Sequence, residues 1–274
     1  MTTASPSGKD GIKLGYSVGY WSAGPPAGAL EAIKEADRLG FDSLWTAEAY
    51  GSDALTPLAW WGAQTERIRL GTGIVQLSAR TPTATAMAAI TLDHLSGGRV
   101  TLGAGFGWNV DELTDHGVPG NRRRTALREY LEAMSALWTQ EEAAYDGEFV
   151  SFGPSWAWPK PVQAHIPVLL GAGPTEKTFR WIARHADGWL TTPADTDLDG
   201  HVALLKEIWS DEGRDGAPAI CALGERPDPE RLAHLDSLGV TETIFGLPDR
   251  SPDEVEAWIA RLAGKLTLSP ARAG

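Results

Sequence analysis

Cysteine is almost missing. The 274 residues include one, Cys221, so no internal disulfide can form, and a reducing compartment fits. Its neighbours Ala219, Ile220, Ala222 and Leu223 predict a buried strand thiol rather than a nucleophile. No apolar run approaches the roughly 20 residues needed to span a bilayer. The first eleven residues lack an apolar signal core, so they read as a flexible arm and the protein as cytoplasmic. No long basic stripe offsets the net charge of −12, which argues against nucleic acid or an anionic membrane as main partner. His116, His165, His185, His201 and His234 have no metal-ligand spacing. HxxxH, CxxC and a nucleophile elbow are all missing, so no metal site is expected. No low-complexity tract or linker divides the chain. One domain is expected over residues 12–264, followed by a short tail at 265–274.

What the chain does have is alternation. Hydrophobic content is 42% and charged content 22%, enough for a packed core. Strand-type runs at Ile12–Val18, Ser43–Ala47, Ile68–Gln76, Val100–Ala104, Pro167–Leu170, Gly188–Thr191, Ala219–Ala222 and Thr243–Phe245 are each followed by a helix-type run. The helices are expected at Ala27–Leu39, Ala54–Thr65, Thr83–Leu95, Arg122–Gln140, Thr175–Ala186, Asp199–Glu212, Pro229–Leu238 and Ser251–Leu262. Leu127, Leu131, Met134 and Trp138 recur at helical spacing. Ser251, Pro252 and Glu254 form a helix-start signature. Runs such as Ile166 to Leu170 are continuously apolar, as parallel strands covered on both faces should be. Eight repeats predict an α/β fold of the (β/α)8 TIM-barrel type, which runs to about 250 residues. An open doubly wound sheet is the competing arrangement. Residues Ala144 to Trp158 break the rhythm with aromatics around Asp146-Gly147, a hairpin signal. They read as an insertion between the fourth helix and the fifth strand, able to cover a barrel mouth.

Candidate chemistry gathers where strands end, which in α/β barrels is where active sites lie. Gly105 and Gly107 follow the fourth strand, and Gly171, Ala172, Gly173 and Thr175 follow the fifth. Pro174 suits a first helical position, leaving the amides of Thr175, Glu176 and Lys177 free for an anion such as a cofactor phosphate. An ordinary strand-to-helix turn is the plainer reading. Glu48 ends the second strand and could hold substrate or donate a proton, or merely cap a helix. Tyr20, Trp21, Tyr50 and Trp108 all follow strand ends and could line an apolar slot, or simply pack. Twelve tryptophans suit either reading. Arg122-Arg123-Arg124 is the only basic run; it reads as a solvated helix start or as an anion-steering patch for a ligand tail. Asp93, His94 and Arg99 lie beyond the third helix, opposite the predicted site, and are assigned to structure.

Several ordered motifs carry a resemblance. They include Gly40-Phe41-Asp42-Ser43-Leu44-Trp45, Leu70-Gly71-Thr72-Gly73-Ile74, Leu92-Asp93-His94-Leu95-Ser96-Gly97-Gly98-Arg99 and Gly103-Ala104-Gly105-Phe106-Gly107-Trp108-Asn109. Pro159-Lys160-Pro161-Val162-Gln163, Leu170-Gly171-Ala172-Gly173 and Ala186-Asp187-Gly188-Trp189 follow. In this order they resemble the luciferase-like monooxygenase superfamily, in the branch of oxidoreductases using the deazaflavin coenzyme F420. The resemblance implies a third strand that bulges at Gly73-Ile74 behind the ring, often through a non-proline cis peptide. It also implies cofactor contacts from Thr72, Gly73, Ile74, Gln76, Gly105, Gly107, Trp108, Gly171, Ala172, Gly173 and Thr175. Glu48 would be catalytic, and Tyr20, Trp21, Tyr50 and Asn109 would form the substrate pocket. A small organic substrate and a homodimer are expected. The hydride chemistry would belong to the cofactor. An FMN-dependent monooxygenase on the same scaffold is the alternative, as is a catalytically weak barrel that only binds the cofactor. Ala49 stands where many relatives carry His in an acid–His pair. Residues to about Arg99 resemble one subgroup and those beyond another, the pattern of a mosaic.

Overall fold

Strands that are apolar on both faces can only be buried between a core and a coat of helices, and the computed structural model has that arrangement. It describes residues 11–21, 23–193, 195–246 and 251–266. Eight parallel strands close into a barrel in the order β1 (Lys13–Gly19), β10 (Glu242–Gly246), β9 (Ala219–Leu223), β8 (Gly188–Leu190), β7 (Val168–Gly171), β4 (Val100–Gly105), β3 (Arg69–Gln76) and β2 (Ser43–Thr46). The helices are α1 (Ala29–Leu39), α2 (Leu55–Gly62), α3 (Pro82–Ser96), α4 (Val110–Asp115), α5 (Arg123–Thr139), α6 (Glu176–His185), α7 (Leu198–Asp211), α8 (Pro229–Leu238) and α9 (Pro252–Lys265). The closed barrel, not the open sheet, is the answer. The ends of the chain expected as an arm and a tail fall largely outside the described residues.

Most element ends fall within two residues of expectation; α9 runs to Lys265, three past the expected Leu262, and other differences have local causes. The second helix stops at Gly62 rather than Thr65. The Arg99 guanidinium takes the carbonyls of Gly62 and Thr65 at 3.0 and 3.2 Å, and the Thr65 hydroxyl also bonds to Gly62. Those carbonyls need no helix beyond them. The short α4 was not legible; its one local signal is Asn109, whose side chain accepts from the Asp111 amide at 3.1 Å. Pro174 does not open α6. Thr175 is the N-cap, its hydroxyl accepting from the Thr178 amide at 3.1 Å, which leaves Pro174 outside the helix.

The insertion is a hairpin of β5 (Ala143–Asp146) and β6 (Ser151–Ser155). It climbs back along α5, and its tip ends beside the helix start, where Arg122 pairs with Glu148 and lies over the Phe149 ring. The turn is wider than Asp146-Gly147 alone. The buried Glu129 carboxylate accepts from the amides of Phe149 and Val150 at 2.7 and 3.3 Å. The hairpin therefore packs along α5 and reaches the rim of the mouth beside it.

Two apolar layers result. A large one fills the space between barrel and helices. A small one inside the barrel comprises Trp45, Leu169, Leu190, Cys221 and Ile244, with Ile74 packed against it. Below this plug Glu242 is buried and accepts from Ser43, Trp45 and Arg69, so the floor of the barrel is polar but paired. Gly15 is needed there, since a Cβ would overlap Ser43 and Glu242. Cys221 is buried, and burial pushes its thiol well up; it is a core group.

Candidate active site at the barrel mouth

The third strand is kinked. β3 and β4 pair in step up to Gly73 and Gly103, then resume at Val75 and Ala104, leaving Ile74 as an extra residue. The Gly73-Ile74 peptide is cis. The turned-out backbone is held from the turn after β2, where the Glu48 amide donates to the Ile74 carbonyl at 3.0 Å. Ile74's side chain lies in a trough floored by glycine. A Cβ on Gly105 would come within 2.8 Å of Ile74 Cδ1, and one on Gly171 would overlap Ile74 Cγ2. The kink on β3 and the glycines ending β4 and β7 are thus one packed unit.

Beyond those glycines opens a cavity of about 440 Å³. Its wall brings together Gly105, Gly107, Trp108, Gly171, Ala172, Gly173 and Thr175, seven of the residues expected around a cofactor. Arg123, Arg124 and Trp181 also line it, with Phe106, Leu127, Leu170 and Thr178. The Arg122-Arg123-Arg124 run therefore divides. Arg122 is taken by Glu148, while Arg123 and Arg124 are exposed on the cavity. Among the described residues neither guanidinium has an ion-pair partner. At the start of α6 the Thr175 hydroxyl is used in capping, and the first two amides, of Glu176 and Lys177, precede the first capped one.

Glu48 sits beside the kink with a 6% exposed side chain. Its carboxylate accepts from the Gln76 amide at 2.6 Å and from both Arg80 terminal nitrogens, and Arg80 also reaches Asp53 at 2.7 Å. Burial pushes the Glu48 carboxyl up, and Arg80 and Gln76 pull it back. Thr72 is fully buried and donates to the Gly103 carbonyl at 2.8 Å, so its hydroxyl fastens the barrel next to the kink. Gln76 is buried as well. Its Nε2 donates to Ser78 Oγ at 3.1 Å and lies 3.4 Å from His116 Nδ1. A Cβ on Gly107, whose φ is 76°, would come within 2.9 Å of Gln76 Oε1.

The expected substrate-pocket residues separate. Tyr50 donates to Asp115, and its ring stands 6.0 Å from the His116 ring. Trp21 leans on Trp61 at 5.9 Å, and its amide donates to Ser52 at 3.0 Å; it is largely a packing residue. Tyr20 is 53% exposed. Asn109 caps α4. Sequence reading missed Ser78, Arg80, His116 and Trp181, which meet the site only through folding. Asp93, His94 and Arg99 serve structure as expected. Asp93 is buried and accepts from the Val162 and Gln163 amides and from Gln163 Nε2, while His94 meets the Lys160 carbonyl. Among the described residues no group of three or more His, Cys, Asp or Glu could hold a metal, and no helix is long and apolar enough to cross a membrane.

A parallel barrel with a kinked third strand and a glycine-walled cavity at its mouth defines a TIM barrel of the luciferase-like class. The chain belongs to the luciferase-like monooxygenase family, whose profile matches residues 10–225. An uncharacterized protein of Mycobacterium tuberculosis is 64% identical over 204 residues, 74% of this chain and 72% of that one. A match of that length must cross Arg99, so both sides of that position occur together in one relative. A second Mycobacterium tuberculosis protein, assigned by name to the coenzyme F420-dependent oxidoreductases, is 42% identical over 223 residues, 74% of this chain and 60% of that one. Among solved structures, a monooxygenase from Streptomyces bottropensis superposes with a TM-score of 0.79 at 21% identity, covering 93% of this chain and 99% of that one. A coenzyme F420-dependent tetrahydromethanopterin reductase from Methanopyrus kandleri gives 0.72 at 19% identity, covering 91% and 98%. These two likenesses speak to fold.

Proposed function

We propose that the protein is an oxidoreductase that moves hydride between coenzyme F420 and a small organic substrate. One observation carries this: the kink at Gly73-Ile74 and the glycine-walled cavity are locked together through the Ile74 side chain. A flat ring needs a shaped backing with no side chains in its way, and a phosphate-bearing arm needs close backbone and positive charge. The residues present fit both needs. Gly105, Gly107, Gly171 and Gly173 leave room for close approach, and Arg123, Arg124 and the first amides of α6 answer an anion. The relative 42% identical that is named for coenzyme F420 supports the deazaflavin over FMN.

When bound, the deazaflavin supplies the hydride chemistry. The protein's part is to hold and to exclude. The Glu48–Arg80–Asp53 group fixes the turn after β2 against β3, and Glu48 also fixes Gln76 beyond the kink. Gln76 Nε2 donates to Ser78, and the Ser78 hydroxyl lies 3.2 Å from His116 Nδ1. A Ser78 proton directed to Nδ1 leaves the His116 proton on Nε2, where it can meet a substrate oxygen. Tyr50 adds an aromatic wall.

Titration of the cofactor-free protein with F420 and FMN separately, followed by cofactor fluorescence, tests the reading. Tight binding of F420 and weak binding of FMN is the expected result. FMN binding with flavin absorption and substrate-dependent oxygen uptake would overturn it in favour of a monooxygenase. F420 binding without reduction of any compound in a broad carbonyl, imine and alkene panel would reduce the protein to a binder.

A further inference from the structure

The barrel has a second cavity at the end opposite its mouth. The last turns of α5 and the end of α6 enclose it beside the starts of β7 and β8, and its volume is about 440 Å³. Leu131, Ala136, Trp138 and Val168 reach it from the apolar layer, each between 6% and 8% exposed and so not fully sealed. The floor is therefore apolar. Around it stand ionisable groups, and nearly all are already engaged. The Glu132 carboxylate accepts from the Tyr145 hydroxyl at 2.5 Å and lies 3.5 Å from Arg128. Asp187 accepts from His165 Nε2 and from the Val168 amide, both at 2.7 Å. Arg184 forks onto Glu212 at 2.7 and 2.8 Å. Burial lowers the pKa of His185, which favours its neutral form.

Arg214 is the exception. It gives one terminal nitrogen to the Ala183 carbonyl at 2.7 Å, and its guanidinium stands 4.3 Å from the centre of the Trp209 ring. Among the described residues it has no carboxylate partner. An arginine stacked on an indole and tied by one nitrogen has lost much of its freedom before any ligand arrives. Its remaining N–H groups suit a planar carboxylate.

We propose that this cavity binds a small organic monoanion with a flat apolar body, its carboxylate on Arg214 and its body over Leu131, Ala136 and Val168. The charge balance selects that chemistry. Both wall carboxylates already have donors, which disfavours an amine or a metal ion. One unshared cation does not answer a polyanion. A bare inorganic anion would leave the apolar floor wet. The site lies away from the hydride chemistry, and the inference does not rest on the deazaflavin reading.

The test is isothermal titration calorimetry of the full-length protein with 2-naphthoate, with F420 in excess to occupy the mouth. The neutral isostere 2-naphthalenemethanol is the comparison. One site with a Kd of about 0.1 mM is expected for the acid, and about tenfold weaker binding for the alcohol. Arg214→Gln should erase that difference. Ser135→Phe, at an exposed position on the cavity wall, should block both ligands; it keeps the test decisive if Arg214→Gln lowers stability. No binding, equal affinity for acid and alcohol, competition with F420, or binding that neither substitution alters overturns the proposal. Failure of F420 itself to bind counts against the deazaflavin reading alone, since the two variants still locate the naphthoate.

Discussion

The coupling between kink and glycine floor makes a quantitative prediction through Gly171→Ala. Gly171 has no positive φ, so alanine is compatible with its backbone. The added methyl would overlap Ile74 Cγ2, while its next neighbours, the Ala104 carbonyl and Ile74 Cβ, lie at 3.8 Å. The whole penalty therefore comes from one methyl of one β-branched residue, whose χ1 has little freedom to swing away. Overpacking of this kind costs about 1–3 kcal/mol, offset by about 0.4–1 kcal/mol from a stiffer unfolded chain. The net loss should be about 1–2 kcal/mol, or roughly 2–8 °C in Tm for a chain of this size. Ile74→Ala alone should cost about 1–2 kcal/mol for the half-buried side chain. The double variant should cost less than the two together by at least about 1 kcal/mol, since the clash is gone. Denaturant unfolding of the cofactor-free protein measures all three. The single variant should also weaken cofactor binding, because Ile74 and the kink must shift together. Additive losses, or a Gly171→Ala protein as stable as the parent, would refute the locked-unit reasoning.

Other positions give sharper contrasts. At Gly73 a Cβ would stand 3.4 Å from Leu190 and 3.5 Å from Trp45, ordinary contact; Gly73→Ala should be tolerated, while the two extra methyls of Gly73→Val should weaken cofactor binding at least about tenfold through overpacking. Asp93→Ala should cost about 2–4 kcal/mol in chemical denaturation by orphaning three donors, with little change in cofactor affinity. Glu48→Gln should lower both Tm and cofactor affinity if the carboxylate is a clamp; a loss of turnover of about a hundredfold with Tm unchanged would instead mark it as a proton donor. His165 Nε2 donates to the Asp187 carboxylate at 2.7 Å, and this bond raises its pKa. Its protonated form is favoured in the folded state, so its stabilisation is present in full below about pH 6.5 and lost as pH rises through the raised value. The effect is small because the ring is half exposed; His165→Gln should flatten the decline of Tm between about pH 6 and about pH 8, and an unchanged slope would remove His165 as its source.

The barrel was legible because strand and helix are written in local pattern: apolar runs, glycine stops, the Ser251 start. The kink and cavity glycines were legible for a related reason. Glycine at a strand end has few other uses. Polar side chains were not, because their roles are set by partners far along the chain. Glu48 looked like a lone acid until folding brought Arg80 and Gln76 to it from 32 and 28 residues away. His116 meets Gln76 across 40 residues with no intervening pattern. Arg123 and Arg124 could be read as solvated or as ligand-facing, and only the hairpin settled which arginine of the run was taken, by delivering Glu148 to Arg122.

The absence of histidine at Ala49 bears on mechanism more than its presence would have. An acid–His pair after β2 would put a mobile proton beside the kink. Here that place is filled by a carboxylate already engaged by Arg80, and the turn carrying it is pinned to β3 at both Ile74 and Gln76. Among the described residues the imidazole near the kinked strand is His116, which directly follows α4 and lies against the Ser78 hydroxyl in the turn just after β3. Both polar groups are thus referenced to the kinked strand and not to each other. A substitution that shifts the kink should disturb them together, whereas loss of His116 should leave the kink and cofactor affinity intact. That asymmetry separates holding the ring from handling the proton: His116→Ala should reduce turnover and reshape its pH profile at nearly constant cofactor Kd, and equal losses in both would show that the two tasks are not divided in this way.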